Sequence, residues 1–254
     1  MILTRVHPGA AESFELDAET ARARLLELYA CPQGFWLRLN LVTSVSGSAA
    51  GSDGTSETLT NVADRRILGV IRELSDVVLV GASSVRAEGY QLPRRSTLAI
   101  VTASGNLAGH KLTVDDPSRI VVVCPPSAVD RVRSTLGDAT ILTTATQTTA
   151  TQTTQTHEGR IPPFAIIDAL REAGYSSIVC EGGPDLAAQL VSAGLVDEVC
   201  MTTSPVLAAV SLAPFGAELT TSVPLDLTQL LVDSAGSIYA RWSIASGADP
   251  ATTQ

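Results

Sequence analysis

The chain predicts an α/β fold: a mixed, mostly parallel central sheet with helices on both faces and an antiparallel hairpin at the C-terminal end. Three observations carry that expectation. Short, continuous apolar runs recur at Val77–Val80, Leu98–Thr102, Ile120–Cys124 and Ile178–Cys180, as in strands covered on both faces. Segments of helical period lie between several of them, notably Ser127–Leu136, Pro163–Ala173 and Pro184–Ala193, and such alternation favours parallel pairing. Near the end, Leu227–Asp233 and Ser237–Ala245 flank Ser234-Ala235-Gly236, a turn signal that joins antiparallel neighbours.

The elements follow in order. Asp17–Tyr29 has a capping residue followed by an amphipathic pattern and is expected to be a helix. Phe35–Val42 is expected to be a strand, leading into a Ser- and Gly-rich loop over Thr43–Ser56. Thr60–Leu74 has helical spacing, with Ile67, Leu68 and Ile71 on one side. Thr140–Leu142 and Val196–Thr203 add two further strand-like runs. Thr143–Thr156 is a low-complexity Thr/Gln/Ala segment with no apolar anchors, expected as an inserted loop without chemistry. Residues 1–34 are expected to form an extension carrying one helix, 35–246 a single domain, and 247–254 a frayed tail.

Composition narrows the function. A net charge of −9 over 254 residues argues against general nucleic-acid or anionic-membrane binding, so an anionic ligand must be met by local arginines and backbone dipoles. No apolar run reaches membrane-spanning length, and the N-terminus lacks a signal-peptide core. The four cysteines form no C-x-x-C pair; as buried free thiols they fit a reducing cytoplasm. Three widely spaced histidines offer neither a zinc-ligand pattern nor a histidine-based triad, and no metal is expected.

Three turns of small residues each follow a strand: Ser44-Val45-Ser46-Gly47, Gly81 through Glu88, and Glu181-Gly182-Gly183-Pro184. Ligands of α/β sheets gather beyond the carboxyl ends of parallel strands, so these turns can form one cleft. The last is the most informative. Its apex has no side chains, Pro184 suits the first helical position, and Asp185 favours the same end. Bare N–H groups at a helix start favour phosphate or pyrophosphate. Neither the G-x-G-x-x-G nor the G-x-x-x-x-G-K-[ST] pattern is present.

Taken together, S-x-S-G at 44–47, G-T-S at 54–56, I-R-E-L-S-D-V-V-L-V-G-A-S-S-V-R-A-E at 71–88, I-V-C-E-G-G-P-D-L at 178–186, G-L-V-D-E-V at 194–199 and S-P-V-L at 204–207 resemble one family. It is the pyrimidine reductase domain of bacterial riboflavin biosynthesis, which has a dihydrofolate-reductase-like fold. The resemblance runs from about Phe35 to the C-terminal hairpin, and it makes 35–246 a reductase domain. The deaminase domain that often precedes this reductase has no counterpart in the first 34 residues, which are too short and hold no zinc motif.

The resemblance implies a cytoplasmic homodimer that uses NADPH to reduce a phosphoribosylamino-pyrimidine, with hydride delivered to C1 of the opened sugar as an imine. It is similar in this to 5-amino-6-(5-phosphoribosylamino)uracil reductase. For the cofactor it implies Ser44, Ser46, Gly47, Gly81, Ser84, Thr102 and Ser104, with Gly182, Gly183, Pro184, Asp185 and Leu186 on the pyrophosphate. For the substrate it implies Ser56, Arg72, Glu88 and Arg94 or Arg95, and it gives Glu181 the catalytic, substrate-side carboxylate. Two positions depart from the family pattern: Ser46 and Glu88 each stand where aspartate is usual. Plainer roles compete with these. Arg72 could pair with Glu73 or Asp76, Ser84 could be a helix N-cap, Glu88 could pair with Arg86, and Arg94 and Arg95 could be solvated loop residues. Asp197 and Glu198 suit a turn or a subunit contact better than chemistry. Two alternatives stay open: dihydrofolate or pteridine reduction on the same fold, and a non-catalytic nucleotide-binding paralogue.

Overall fold

The computed structural model describes residues 1–113, 116–144, 160–216 and 219–245. Nearly all of the Thr/Gln segment and all of the expected tail lie outside those residues. The strands are β1 (Ile2–His7), β2 (Glu12–Glu15), β3 (Trp36–Ser44), β4 (Val77–Gly81), β5 (Gly89–Gln91), β6 (Thr97–Val101), β7 (Lys111–Thr113), β8 (Ile120–Cys124), β9 (Thr140–Thr143), β10 (Ser177–Cys180), β11 (Glu198–Ser204), β12 (Leu225–Asp233) and β13 (Ile238–Ile244). The helices are α1 (Ala21–Tyr29), α2 (Val62–Glu73), α3 (Ala82–Ala87), α4 (Val129–Arg133), α5 (Pro163–Glu172) and α6 (Pro184–Ser192).

Eleven strands form one sheet in the order β2-β1-β12-β13-β11-β3-β10-β4-β6-β8-β9. Pairing from β11 to β9 is parallel throughout, and pairing from β2 to β11 is antiparallel. The sheet is therefore mixed and mostly parallel, with the expected C-terminal hairpin of β12 and β13. Alternate residues of the central strands serve opposite faces, as the two-residue period of a strand requires. Val78, Val80, Leu98 and Ile100 pack in one core with α1 to α4, while Val77, Leu79, Ala99 and Ile178 pack in the other with α5 and α6. This double burial explains why the apolar runs are continuous.

Four expectations need correction. The first 34 residues contribute more than a helix: β1 pairs with β12 and β2 with β1, and Leu3 is fully buried. These strands are short, two of the four residues of β2 are acidic, and burial on one face only hides their strand character. Helix α1 begins at Ala21 rather than Asp17, because the Asp17 carboxylate accepts from Arg66 and the N-terminal ammonium instead of capping a helix. The Ser127–Leu136 segment holds only a 3-10 turn and the short α4. The segment from Gly81 to Glu88 is not an open turn, since α3 occupies most of it with Gly81 as its N-cap. A second, two-stranded parallel sheet of β5 and β7 escaped prediction because three-residue strands carry too little periodicity.

Candidate active site

Strands β3, β10, β4 and β6 lie side by side and parallel, so Ser44, Glu181, Gly81 and Thr102 all sit at one carboxyl edge. From β4 the chain enters α3 on one face of the sheet, and from neighbouring β10 it enters α6 on the other. The crevice between such diverging connections is where open α/β sheets bind ligands. The Glu181–Pro184 turn spans it. Gly182 has φ +101°, in the left-handed region that side chains avoid, and its carbonyl accepts from Gly81 N–H at 3.0 Å. Gly183 N–H donates to Ser84 Oγ at 3.0 Å. A Cβ on Gly183 would lie 3.2 Å from Ser84 Oγ and 3.4 Å from Ser83 Oγ, tighter than ordinary contact.

Two cavities flank the turn. The larger, about 600 Å3, takes its wall from α2, the Ser56 loop, Glu88–Gln91 and Glu181–Pro184. The smaller, about 280 Å3, is lined by Gly81, Arg86, Thr102, Ser104, Asp185 and Leu186 among others. The arrangement suits a dinucleotide: a small-residue turn at the start of a helix for a pyrophosphate, and a space on each side for the rest. With α6 running nine residues from Pro184, the dipole at this end is that of a full helix.

The large cavity is charged. Arg72, near the end of α2, forms a two-bond fork with Glu181, Nε to Oε1 and Nη2 to Oε2, both at 2.6 Å. The Glu181 side chain is 7 % exposed and that of Arg72 24 %. Burial works against the guanidinium charge, but the Glu181 carboxylate more than offsets it and raises the Arg72 pKa. The Tyr90 hydroxyl, 3.4 Å from Glu181 Oε2, is pushed well above its ordinary value by burial and then by that carboxylate. Across the cavity, Ser56 donates to Glu88 through its backbone N–H at 3.1 Å and its hydroxyl at 3.2 Å. Asp64, in the first turn of α2, also lines the wall, and its Oδ1 accepts from Thr202 Oγ1 at 2.7 Å. Burial raises the Asp64 pKa, although the Thr202 bond and Arg65 pull it back.

A model of the RibD C-terminal domain matches residues 35–236 of the 254. The chain belongs to the RibD C-terminal domain family. Among curated relatives, it is 28 % identical over 165 residues to the riboflavin biosynthesis protein RibD of Mycobacterium tuberculosis, covering 65 % of this chain and 40 % of that protein. Against Escherichia coli RibD the identity is 25 % over 184 residues, covering 68 % and 48 %. The chain thus spans less than half the length of these RibD proteins. Its fold is similar to that of a pyrimidine reductase-like protein from Corynebacterium diphtheriae, with a TM-score of 0.67, 21 % identity, and coverage of 88 % of this chain and 99 % of that one. It is also similar to the riboflavin biosynthesis reductase Rib7 of Saccharomyces cerevisiae, with a TM-score of 0.61, 12 % identity, and coverage of 87 % and 98 %.

Within this RibD C-terminal domain the expected residues divide into four groups. Ser56, Arg72, Ser84, Glu88, Glu181, Gly182, Gly183 and Pro184 meet in the large cavity. Gly81, Thr102, Ser104, Asp185 and Leu186 meet in the small one. Ser44, Ser46 and Gly47 line neither: Ser44 and Ser46 hydrogen-bond to each other, and the chain after β11 crosses them, with Ala208 N–H on Ser46 Oγ at 3.0 Å. Arg94 and Arg95 line a third hollow behind α2, where Arg95 pairs with Glu73 at 3.0 Å. Arg94 and Arg95 are both exposed, as the solvated-loop role has it, whereas three other plain roles are not formed. Arg72 pairs with neither Glu73 nor Asp76, Ser84 is not the N-cap of α3, and Arg86 donates to Asn106 O rather than to Glu88. Asp197 accepts from Leu37 N–H, and Glu198 pairs with Arg38 and Arg241 inside the fold. Sequence reasoning missed Asp64, Arg65 and Tyr90 on the cavity wall. The i, i+4 row of Asp64, Leu68 and Arg72 on α2 carried a signal for the first of these.

Proposed function

We propose that the chain is an NADPH-dependent reductase of a phosphoribosylamino-pyrimidine, the 5-amino-6-(5-phosphoribosylamino)uracil reduction of riboflavin biosynthesis. The observation that carries this reading is the Gly182-Gly183 turn, set between two cavities at the point where α3 and α6 leave opposite faces of the sheet. Gly182, Gly183 and the start of α6 would hold the pyrophosphate, with Thr102, Ser104 and Arg86 toward the adenosine end. The bound cofactor supplies a hydride, which reduces C1 of the ring-opened sugar.

The chain's own residues position the substrate and exclude competing geometry. Arg65, at the cavity rim, and Arg72 present positive charge to a phosphate, while Glu88 and Glu181 offer acceptors for hydroxyl and amino groups. Ser56 is held on Glu88 by two hydrogen bonds, which fix that wall. Membership of the RibD C-terminal domain family and the likeness to solved reductases support the same reading. Among the described residues no helix is long and apolar enough to cross a membrane.

The test is ligand-linked stability followed by turnover. NADPH should raise the melting temperature, since binding to the folded state alone stabilises by mass action. Gly183→Val, whose side chain would crowd the Ser84 hydroxyl and cover the bare turn, should abolish that rise; a full rise in this variant would sink the cofactor site. Oxidation of NADPH on the ribosylamino-pyrimidine decides the substrate. Turnover on dihydrofolate instead would favour pteridine-type reduction, and binding without turnover on either would favour the non-catalytic alternative.

A further inference from the structure

A reduction of a carbon–nitrogen double bond needs a proton as well as a hydride, and the acidic groups of the large cavity are not equally able to give one. Both oxygens of Glu181 are taken up by the Arg72 fork. Both oxygens of Glu88 accept from Ser56. Glu57 is 70 % exposed and paired with Arg65 at the rim. The Tyr90 hydroxyl is turned toward the Glu181 carboxylate, where burial makes it a weaker acid than a free phenol. Asp64 differs from all of them. It is 5 % exposed yet lines the cavity, and among the described residues only its Oδ1 accepts a side-chain hydrogen bond, from Thr202 on β11. The first turn of α2, fixed by Asn61, holds it there: Asn61 Oδ1 caps the helix by accepting from Asp64 N–H itself at 2.9 Å.

Resting on the reductase reading above, we propose that Asp64 is the proton donor of the reaction. The imine carbon accepts the hydride, and the dihydronicotinamide that gives it is oxidised. The electron pair of the C=N bond moves to nitrogen, nitrogen takes the proton from the Asp64 carboxyl, and an amine results. The carboxylate left behind regains a proton from water through the open cavity. The charged groups around Asp64 are Arg65 and Glu57 at the rim and Glu181 across the cavity; β11 contributes the uncharged Thr202. Burial and the two carboxylates favour the protonated form that a donor requires.

Asp64→Asn keeps an acceptor for Thr202 and removes the proton. In this variant kcat on the ribosylamino-pyrimidine should fall by about 100-fold or more, the lower range for loss of a general acid, while KM and the NADPH-induced melting shift stay within twofold. Thr202→Val, which removes a bond that favours the ionised form, should move the high-pH limb of the kcat profile upward. A readout independent of turnover is the infrared difference between wild type and Asp64→Asn. It should show a protonated carboxyl band that persists above the ordinary aspartate pKa of 3.8 and disappears at higher pH. A kcat within threefold of wild type, or a carboxyl already ionised at pH values near 3.8, would overturn the assignment. Wild-type turnover with an equally active Asp64→Asn sinks Asp64 alone. An inactive wild type that still binds NADPH sinks the reductase reading and the donor with it.

Discussion

At the residue scale, the Arg72–Glu181 fork joins α2 to the end of β10 across the wall of the large cavity. Its geometry is the planar, two-bond arrangement that guanidinium makes with carboxylate, and one partner is nearly sealed from water. Removing one member of such a pair costs more than the pair contributes, because the survivor keeps its charge without a partner. Arg72→Ala should therefore destabilise the fold by about 3 kcal/mol, the low end for buried pairs given that Arg72 retains some solvent contact. Urea unfolding measures this, and a loss below about 1 kcal/mol would show that water replaces the guanidinium at little cost.

At the element scale, Asn61 ties two distant parts of the chain. Its Oδ1 caps α2, and its Nδ2 donates to Asp233 Oδ2 at 2.8 Å and to Ser237 Oγ at 2.9 Å, in the turn between β12 and β13. Asn61→Ala removes a cap worth about 1 kcal/mol and a hydrogen bond to a carboxylate of similar worth, so a loss of about 2 kcal/mol is expected in thermal unfolding. Asp233 itself sets a pH dependence. Burial raises its pKa, but bonds from Tyr239, Ser237, Ala235 and Asn61 more than offset this, and the net shift is downward from 3.8. A carboxylate with a depressed folded pKa contributes its stability above the unfolded value and loses it as pH falls through the folded one. Asp233→Asn should accordingly be less stable at neutral pH and lose less on acidification below about pH 4. Parallel acid-unfolding curves for the two proteins would contradict this.

At the scale of the whole molecule, the N-terminal strands protect an edge. β1 covers β12, and β2 in turn covers β1, so without them the hairpin would present unpaired backbone groups. Deleting residues 1–16 should leave the cavities intact and make the protein associate in a concentration-dependent way, measured by light scattering. A deletion variant as monodisperse as the full chain would show that the edge is protected by other means. These strands lie before the residues matched by the RibD C-terminal domain, so here the sheet extends beyond the matched segment.

Much of this was already written in local patterning. Continuous apolar runs and helical spacing sufficed for the central parallel strands, α2, α5, α6 and the hairpin, because double burial and amphipathic periodicity are short-range signals. The Glu181–Pro184 turn was legible for the same reason: two glycines and a proline state a backbone geometry without reference to anything distant. Partners across the fold were not. Arg72 could have met Glu73, but the parallel placement of β10 beside β4 brought Glu181 to it, 109 residues away. Helical spacing alone did not single out Asp64; its place on the cavity wall and its bond from Thr202 follow from α2 packing beside β11. The small-residue turn at Ser44, Ser46 and Gly47 was legible too, but its bonds to the chain after β11 were not. Local sequence dictates which backbone shapes are available; which charges meet, and which are stripped of solvent, is decided only when strands distant in sequence become neighbours.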